Sequence, residues 1–422
     1  MSVLQRIRED PERVRAMLTA RHFDAPLDRL LELDVKAREL RQEKEQLQAE
    51  RNRASKGGPP SEDTKRRMRE VGDRIKQIDA DLIPVEAERD RAVLWIPNEI
   101  APDVPPGADE HDNPVLREDP KRTLPFAAKP HWELGESLGI LDIARGTKLS
   151  GSRFYVLRGA GAALQRALIA WMLDHKLSAG LGFVEIYPPF VTREETLLAS
   201  AHLPHFDENL YRDDDDDIWL IPTAETQLVS LHRDETIPFD RLPVRYVAYT
   251  ACFRREKMSA GRDVRGIKRG HQFDKVEMVV FTKPEDSRKE LDLLTDLAVD
   301  VLHKLELPAR VIERCAGDLG FTAMKGFDVE TWSPGVQEWL EVSSTSDGGS
   351  LQAERAGIRF KRDTNAKPEP PHILNASGLA LPRLMISIIE NYQQADGSIV
   401  VPNVVRPYMG GRERIAPGEF SL

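Results

Sequence analysis

Three residues of the kinds that bind nucleotides occur near one another in the chain: Arg254, Glu256 and Phe273. An arginine is always charged, and its planar fork can hold a carboxylate and a phosphate together. A glutamate beside it could accept a hydrogen bond from an adenine amino group, and a phenylalanine ring offers a stacking surface. Taken alone, the three residues fit a nucleotide site or, as the alternative, the solvated charges of a surface hairpin.

The flanking segments predict two strands that would position these side chains. Residues 248–253 and 271–281 are rich in Tyr, Phe, Val and Thr and partly alternate between apolar and polar. This pattern indicates neighbouring strands joined by a long polar loop. Alternation puts Arg254 and Glu256 on one face, and an antiparallel partner strand would share that face. The matching row on the second strand is Phe273, Lys275 and Glu277. The loop adds basic residues that could clamp a polyphosphate, namely Arg262, Arg265, Lys268 and Arg269.

The order FRRE, basic loop, HQFDKVE (253–277) resembles motif 2 of class II aminoacyl-tRNA synthetases, in the form found in seryl-tRNA synthetases. Further segments with similar resemblance follow one another along nearly the whole chain. They are GFVEIYPPFVTRE (182–194, motif 1, with Pro189 as the motif proline), IPTAE (221–225), EVSS (341–344), LNASGLALPRLMISIIENYQ (374–393, motif 3) and VPNVVRPYMGG (401–411). Such a set in the right order is far more specific than any one motif.

The resemblance implies ATP-dependent activation of L-serine to seryl-adenylate, followed by transfer of serine to tRNA(Ser). Whether tRNA(Sec) is also a substrate stays open. The reaction depends on positioning and on neutralising charge at phosphorus, so it requires no nucleophilic side chain.

The resemblance also implies roles for individual residues. The catalytic residues would be Arg254, Glu256 and Arg383. The ATP contacts would be Arg254, Arg255, Glu256, Phe273, Glu341, Val342, Ser343, Ser344 and Arg383. Glu341 and Ser344 would face Mg²⁺, which takes few protein oxygens and completes its shell with phosphates and water. The serine contacts would be Thr223, Ala224, Glu225, Glu277, Asn375 and Ser377. For Glu277, an ordinary ion pair with Lys275 or Lys283 is the alternative.

Composition limits the class of protein and of partner. With 422 residues, 40% of them hydrophobic, the chain can bury a large core in two or three domains. The net charge of −10 would repel nucleic acid, so any RNA contact requires a local basic patch. Two cysteines, Cys252 and Cys315, are too few for a disulfide framework and favour the reducing cytoplasm. No apolar run approaches the roughly 20 residues of a membrane span.

The N-terminal region predicts an antiparallel helical hairpin. Apolar residues recur every three or four positions in two series, at 30, 33, 37, 40 and 47 and at 68, 71, 75, 78, 82 and 85. The segment SKGGPP (55–60) separates the series, and its Gly and Pro residues cannot continue either helix. Each helix would extend about 40–50 Å.

The tip of this hairpin is basic. Between Arg51 and Lys76 there are nine basic and four acidic residues, an excess of five. A solvated face is the alternative, but basic charge on an acidic protein favours a phosphate backbone as partner. The resemblance implies that the arm binds tRNA through Arg51, Arg53, Lys56, Lys65, Arg66, Arg67 and Arg69.

We therefore predict an α+β protein in which a coiled-coil arm precedes a class II core of antiparallel sheet flanked by helices. The N-terminal tRNA-binding domain would cover residues 1–110, with the arm at about 28–94, and the catalytic domain would cover residues 111–422. The helix at 164–177 fits the family's dimer interface, which implies a homodimer. Two rivals are a paralogue that loads amino acids onto carrier proteins, which would lack the long arm, and a non-catalytic RNA-binding paralogue, which would lose residues such as Arg254 or Arg383.

Overall fold

The computed structural model describes residues 3–55, 61–213, 215–257 and 265–418. Contacts divide the chain into two compact units, residues 1–97 and 98–422. Residues 98–110, which the sequence analysis assigned to the first domain, pack within the second unit. For example, the backbone N–H of Asn98 donates to the Phe321 carbonyl at 3.0 Å, and that of Ala101 donates to the Met324 carbonyl at 3.0 Å.

The first unit is a helical hairpin with two short helices before it. Its helices are α1 (Val3–Glu9), α2 (Pro11–Ala20), α3 (Leu27–Ala54) and α4 (Glu62–Val93). Ser61 caps α4, since its hydroxyl accepts a hydrogen bond from the Thr64 N–H at 3.2 Å. Leu33, Ala37, Ile78, Leu82 and Val85 form the buried seam between α3 and α4. The predicted hairpin and its apolar spacing are confirmed.

Ion pairs between the two long helices show that they run antiparallel. Pairs form between Arg29 and Glu88 at 2.8 Å, between Glu43 and Arg74 at 2.7 Å, and between Glu50 and Arg67 at 2.8 Å. Each step of seven residues forward along α3 moves the paired residue about seven positions back along α4, as an antiparallel coiled coil requires. These pairs occupy one flank of the hairpin.

The second unit contains one eight-stranded main sheet and several smaller sheets of two or three strands. In chain order its strands are β1 (Val115–Glu118), β2 (Leu141–Asp142), β3 (Val156–Leu157), β4 (Phe183–Glu185), β5 (Val191–Thr192), β6 (Arg212–Asp213), β7 (Ile218–Leu220), β8 (Thr236–Ile237), β9 (Val244–Phe253), β10 (Gln272–Thr282), β11 (Ala309–Glu313), β12 (Lys325–Ser333), β13 (Glu338–Asp347), β14 (Arg359–Phe360), β15 (His372–Ala380), β16 (Ile399–Val400) and β17 (Arg414–Ile415). Eight of these strands form the main sheet, in the order β1-β11-β12-β13-β15-β10-β9-β4, and among the described pairings of this sheet only β4–β9 is parallel.

Helices cover the sheet, so the predicted α+β class II architecture is confirmed. The helices of this unit are α5 (His131–Ser137), α6 (Ile143–Ser150), α7 (Ala160–Ser178), α8 (Glu194–Ala199), α9 (Glu225–Ser230), α10 (Ser287–Lys304), α11 (Leu351–Arg355) and α12 (Leu381–Asn391). The largest core contains apolar residues of α7, α10 and α12 together with Val276, Met278 and Val280 of β10. Val279 and Phe281, on the other face of β10, belong to a smaller core with α9. Within the described ranges, no helix is both long and apolar enough to cross a bilayer.

The period of two along β10 decides which side chains face the candidate site. The even-numbered Val276, Met278 and Val280 enter the large core, and the odd-numbered Phe273 and Lys275 line a cleft on the opposite face. Strand β9 pairs with β10 in the register Phe273 to Cys252 and Lys275 to Thr250. The two antiparallel strands predicted around the basic loop are therefore confirmed.

Candidate active site

A cleft of about 360 Å³ opens over the central strands β10, β13 and β15 and the start of α12. Nine of the fifteen residues assigned to ATP or serine line it: Glu225, Arg254, Glu256, Phe273, Glu341, Ser344, Asn375, Ser377 and Arg383. They come from six separate elements or loops. The sheet thus gathers residues that are up to about 160 positions apart in the chain.

Arg254 directly follows β9 and lies between two aromatic rings. Its guanidinium carbon is 5.2 Å from the centre of the Phe273 ring and 5.8 Å from that of Phe206. The Nε–H donates to the Pro222 carbonyl at 3.2 Å. These contacts hold the arginine over the predicted stacking residue, where its charge faces the cleft.

Glu256 reaches the same cleft by a different route from the one predicted. Strand alternation cannot place it, because β9 ends at Phe253 and Glu256 has a left-handed backbone with φ of +52°. Arg153 donates to the Glu256 carbonyl at 3.1 Å, and the Arg269 guanidinium lies 3.6 Å from its carboxylate. The argument from alternation was wrong, although Arg254 and Glu256 both line the cleft.

Glu225 lines the cleft and is held there by two amide side chains. It is the first residue of α9, and its two carboxylate oxygens accept hydrogen bonds from Gln352 Nε2 at 2.7 Å and from Asn375 Nδ2 at 2.9 Å. Burial raises the pKa of Glu225, and the hydrogen bond from Gln352 and the charge of Lys275 partly oppose this. The sequence analysis missed Gln352, which precedes Asn375 by more than 20 residues.

Glu277 is 0% exposed and lies behind the lining of the cleft. It forms an ion pair with Lys275, so the ion pair left open in the sequence analysis is present. Lys283 instead pairs with Asp286 at 2.9 Å. Burial raises the pKa of Glu277, and the Lys275 ammonium group opposes that rise. Lys275 itself lines the cleft and stands between Glu277 and the open space.

A β-bulge explains why two residues three positions apart face one site. Across β12 and β13, Val329 pairs with Ser343 and Glu330 pairs with Glu341, so Val342 is an extra residue. The bulge turns Glu341 and Ser344 toward the cleft and buries Val342 and Ser343 on the other side. The Ser343 hydroxyl donates to the Ser377 carbonyl at 2.5 Å.

Arg383, near the start of α12, holds Glu341. Its Nη1 donates to the Glu341 carbonyl at 2.8 Å and lies 3.2 Å from Glu341 Oε2. Partial desolvation in the cleft would raise the pKa of Glu341, but the cations Arg383, Arg314 and Arg254 outweigh that effect and the pKa is lowered. Pro382 is accommodated within the first turn of α12, as expected for a residue with no N–H to contribute.

Five predicted residues, besides Glu277, lie outside the lining of the cleft: Thr223, Ala224, Arg255, Val342 and Ser343. Thr223 and Ala224 are buried at the start of α9, where the Thr223 hydroxyl accepts from the Glu225 N–H at 3.3 Å. Arg255 packs 5.2 Å from the Tyr211 ring, because consecutive residues after a strand turn in different directions. Thr223, Ala224, Val342 and Ser343 are thus buried behind the lining, whereas Arg255 is exposed and points away from the cleft.

Arg314 is a cleft residue that the sequence analysis did not identify. Its Nη2 donates to the Thr345 carbonyl at 2.9 Å and to the Ser346 hydroxyl at 2.6 Å, and its Nε is 3.6 Å from Asp328 Oδ1. No local pattern marks this residue, since the strands that surround it follow later in the chain. The basic loop residues Lys268 and Arg269 also line the cleft, as the sequence suggested.

Six of the seven basic residues predicted on the arm are described by the structure, and all six are exposed, although three are paired with acids. Lys65, Arg66 and Arg67 form ion pairs with Glu62, Asp63 and Glu50 at 2.7, 2.9 and 2.8 Å. For Arg69, no acidic partner lies within ion-pair distance in the part of the chain that the structure describes. Arg51 and Arg53 are exposed near the end of α3, and Lys56 lies outside the described residues.

The mostly antiparallel sheet and the cleft across its centre define a class II aminoacyl-tRNA synthetase core. A model described as "tRNA synthetase class II core domain (G, H, P, S and T)" matches residues 206–392, and one described as "Seryl-tRNA synthetase N-terminal domain" matches residues 1–100.

Full-length relatives narrow the class to one family. A serine-tRNA ligase from Thermomicrobium roseum is 53% identical over 98% of this chain and 94% of its own, and one from a Roseiflexus species is 53% identical over 97% and 98%. The crystal structure of seryl-tRNA synthetase from Pyrococcus horikoshii complexed with ATP has a TM-score of 0.93, 34% identity and coverage of 99% and 100%. The cytoplasmic serine-tRNA ligase from Naegleria fowleri in complex with AMP has a TM-score of 0.86, 29% identity and coverage of 97% and 96%. The chain belongs to the seryl-tRNA synthetase family.

Proposed function

We propose that this protein activates L-serine with ATP and transfers the serine to tRNA(Ser). The observation that carries the proposal is the convergence in one cleft of Arg254 over Phe273, of Glu225 with Asn375, and of Arg383 with Glu341. A serine carboxylate oxygen attacks the α-phosphorus of ATP, a new P–O bond forms, and the bond to pyrophosphate breaks. The seryl-adenylate then acylates the 3′ end of the tRNA and releases AMP.

Arg254 is the proposed bridge between the two reactants. Its fork can bind the serine carboxylate and the α-phosphate together, which holds them in line and neutralises charge that grows in the transition state. Phe273 offers its ring to the adenine, and Glu256 accepts from the adenine amino group. Arg383 faces the far end of the triphosphate, where its positive charge favours binding.

Glu225 is the proposed receptor for the serine ammonium group. Asn375 and Gln352 orient its carboxylate, and Ser377 lies across the same cleft. A polar pocket of this kind rejects alanine by roughly 10⁴, because alanine leaves the pocket's own polar groups unpaired. Glu277, Thr223 and Ala224 contribute from behind this surface.

Mg²⁺ fits the segment at Glu341 and Ser344. The bulge at Val342 presents one carboxylate and one hydroxyl oxygen to the cleft, and Mg²⁺ usually takes only one or two protein ligands beside phosphates and water. When bound there it would neutralise phosphate charge. The lowered pKa of Glu341 keeps that carboxylate ionised and able to act as a ligand.

The arm is the proposed tRNA-binding element. Its exposed basic residues lie on a protein of net charge −10, so they provide a local site for a phosphate backbone. Arg69 is a candidate for direct contact because no acidic side chain lies within ion-pair distance of it in the described residues. The same surface is proposed to bind tRNA(Sec), which should be tested beside tRNA(Ser). The proposed location of the protein is the cytoplasm.

We further propose that two copies of the chain form a homodimer through α7 and the strands beside it. A groove of about 440 Å³ lies next to α7, lined by residues such as Phe154, Tyr155 and Ile169. The neighbouring Val184, Tyr187 and Val191 are large apolar residues exposed to solvent in the single chain. Apolar surface of this kind is typical of an interface. Tyr187→Glu should shift the mass in solution from dimer to monomer, and a monomeric parent protein would contradict the proposal.

The decisive experiment is ATP–pyrophosphate exchange with each of the twenty amino acids, followed by charging of purified tRNA. We expect exchange with serine and charging of tRNA(Ser). Exchange without charging, combined with transfer to a carrier protein, would favour the first rival. No exchange with any amino acid would favour the non-catalytic rival.

A further inference from the structure

A buried carboxylate near the end of α12 connects two segments beside the cleft, the β12–β13 turn and the basic loop. Glu390 is 0% exposed. Its Oε2 accepts hydrogen bonds from the Ser333 hydroxyl at 2.6 Å and from the N–H groups of Gly335 and Val336 at 2.8 and 3.1 Å. These donors lie at the end of β12 and in the turn that follows it, so Glu390 fixes the turn from which β13 runs to Glu341.

The other oxygen of Glu390 binds His131, the first residue of α5. Oε1 accepts from the His131 N–H at 2.9 Å and contacts the ring Nδ1 at 3.0 Å. A carboxylate can only accept, so Nδ1 carries the proton of this contact. In the neutral ring, Nε2 is then an acceptor.

His131 Nε2 accepts a hydrogen bond from the basic loop. The Ile267 N–H donates to His131 Nε2 at 3.2 Å, and the contact is buried. Lys268 and Arg269, the next two residues, line the cleft, and Lys268 forms an ion pair with Glu338 at the start of β13. One carboxylate therefore fixes the β12–β13 turn directly and the basic loop through an imidazole.

Gly266 makes this close approach possible. Its φ is +69°, and a Cβ built there would lie 1.9 Å from His131 Nε2. A side chain at this position would both strain the backbone and push the loop away from the ring. The neighbouring Arg265 guanidinium lies 4.8 Å from the centre of the Trp132 ring, which gives the loop a second contact with α5.

We propose that His131 and Glu390 are positioning residues that hold the basic loop so that Lys268 and Arg269 meet the phosphates of the nucleotide. The nature of that ligand rests on the proposed function. The anchor itself is a property of the free protein. Neither residue lines the cleft, so His131 acts through the loop, and Glu390 acts through the loop and the β12–β13 turn.

Two changes test the anchor by different routes. His131→Leu removes the acceptor for the Ile267 N–H, whereas His131→Gln keeps an amide oxygen that can accept in its place. Gly266→Ala leaves the His131–Glu390 pair intact and displaces the loop by contact. Gly180→Ala is the matched control, because Gly180 has the same φ of +69° with nothing within 4 Å of the added Cβ.

Two measurements are required for each variant. Hydrogen–deuterium exchange of a peptide covering residues 265–271, in the absence of ligands, reports the anchor. Serine-dependent ATP–pyrophosphate exchange reports KM for ATP, KM for serine and kcat. We expect His131→Leu and Gly266→Ala to lose protection at Ile267 and to raise KM for ATP about 10-fold to 100-fold, since a displacement of about 1 Å can cost about 10². KM for serine should change little, and His131→Gln and Gly180→Ala should resemble the parent protein.

The possible failures are distinguishable. If Gly266→Ala, which spares the buried pair, keeps both the protection and KM for ATP, the positioning role is wrong. If protection is lost and KM for ATP does not change, the anchor exists but does not serve the nucleotide, which also overturns the proposal. A parent protein without exchange activity would refute the proposed function, and the protection data would still decide whether His131 holds the loop.

Discussion

Arg383 Nη1 lies 3.2 Å from Glu341 Oε2 and donates to the carbonyl of the same residue at 2.8 Å. The contact joins the first turn of α12 to the bulge in β13. It places a cation beside the carboxylate proposed to face Mg²⁺, and it helps to lower the pKa of Glu341. The two residues are 42 positions apart, so the sheet and the helix that follows it create the pair.

Arg383→Ala should weaken ATP binding far more than serine binding. The variant loses a charge at the proposed triphosphate and leaves Glu341 without its nearest cation. We expect KM for ATP to rise at least about tenfold, with KM for serine within about twofold, because a charge-assisted hydrogen bond contributes about 1.5–3 kcal/mol. Arg383→Lys should recover only part of this loss, since an ammonium group lacks the planar fork. An equal rise in both KM values would contradict the assignment.

Arg254→Ala should abolish adenylate formation in a folded protein. Removal of a charge contact made in the transition state typically lowers the rate by about 10²–10³. Arg255→Ala is the control, because the neighbouring arginine packs against Tyr211 and lies outside the lining of the cleft. Single-turnover formation of seryl-adenylate measures both variants. Near-normal rates in Arg254→Ala would exclude this residue from the mechanism.

Serine binding should depend on the ionisation of Glu225. Burial raises the pKa of this carboxyl group, and only the ionised form attracts an ammonium group. KM for serine should therefore fall as the pH rises through that pKa. Gln352→Leu removes a hydrogen bond that favours the charged form, so the transition should move to higher pH. The pH profile of KM for serine, with KM for ATP as the reference, checks the direction; a shift to lower pH would refute it.

Lys275 and Glu277 should be coupled in stability. Lys275→Met leaves a fully buried carboxylate without its partner, which typically costs about 3–5 kcal/mol in the free energy of unfolding. The double variant Lys275→Met/Glu277→Gln should recover most of that loss. In the single variant, the pKa of Glu277 in the folded protein rises further above its value in the unfolded chain. The single variant should therefore be closest in stability to the double variant at low pH, and it should lose stability relative to the double variant as the pH rises. Urea unfolding over a range of pH tests this, and equal stability of the two variants at neutral pH would contradict it.

The arm should separate tRNA charging from serine activation. Deletion of residues 35–90, with a short Gly-containing turn, retains the small core formed by Leu27, Leu30, Ala92 and Ile96. Serine-dependent exchange should survive, and aminoacylation of tRNA should collapse. Normal charging by the shortened protein would reassign the arm to a structural role.

Arg69 and Arg67 offer a matched comparison on this arm. Arg69→Ala should weaken tRNA binding and lower the slope of log affinity against log salt by about 0.7–0.9, the loss of one phosphate contact. Arg67→Ala should mainly loosen the arm, measured by circular dichroism on heating, because Arg67 bridges to Glu50 on the other helix.

Much of this protein follows from local sequence. The spacing of Leu33, Ala37, Ile78 and Leu82 specifies two amphipathic helices, and alternation around Phe273 specifies a strand with a defined face, because side-chain direction repeats with the period of the backbone. The sequence also named Arg254, Glu225 and Arg383 as site residues, the last two through the family resemblance alone, and the structure brings all three to one cleft.

The tertiary structure decided what periodicity cannot encode. The bulge at Val342, the left-handed backbone of Glu256, the entry of Arg314 into the cleft and the link from Glu390 through His131 to Ile267 all depend on segments that are far apart in the chain. Such contacts form only when strands pair in one register and buried polar groups find partners, because an unpaired buried group is costly. The sequence by itself therefore determined the elements and the candidate chemistry, whereas packing decided which side chains face the cleft and which hold it from behind.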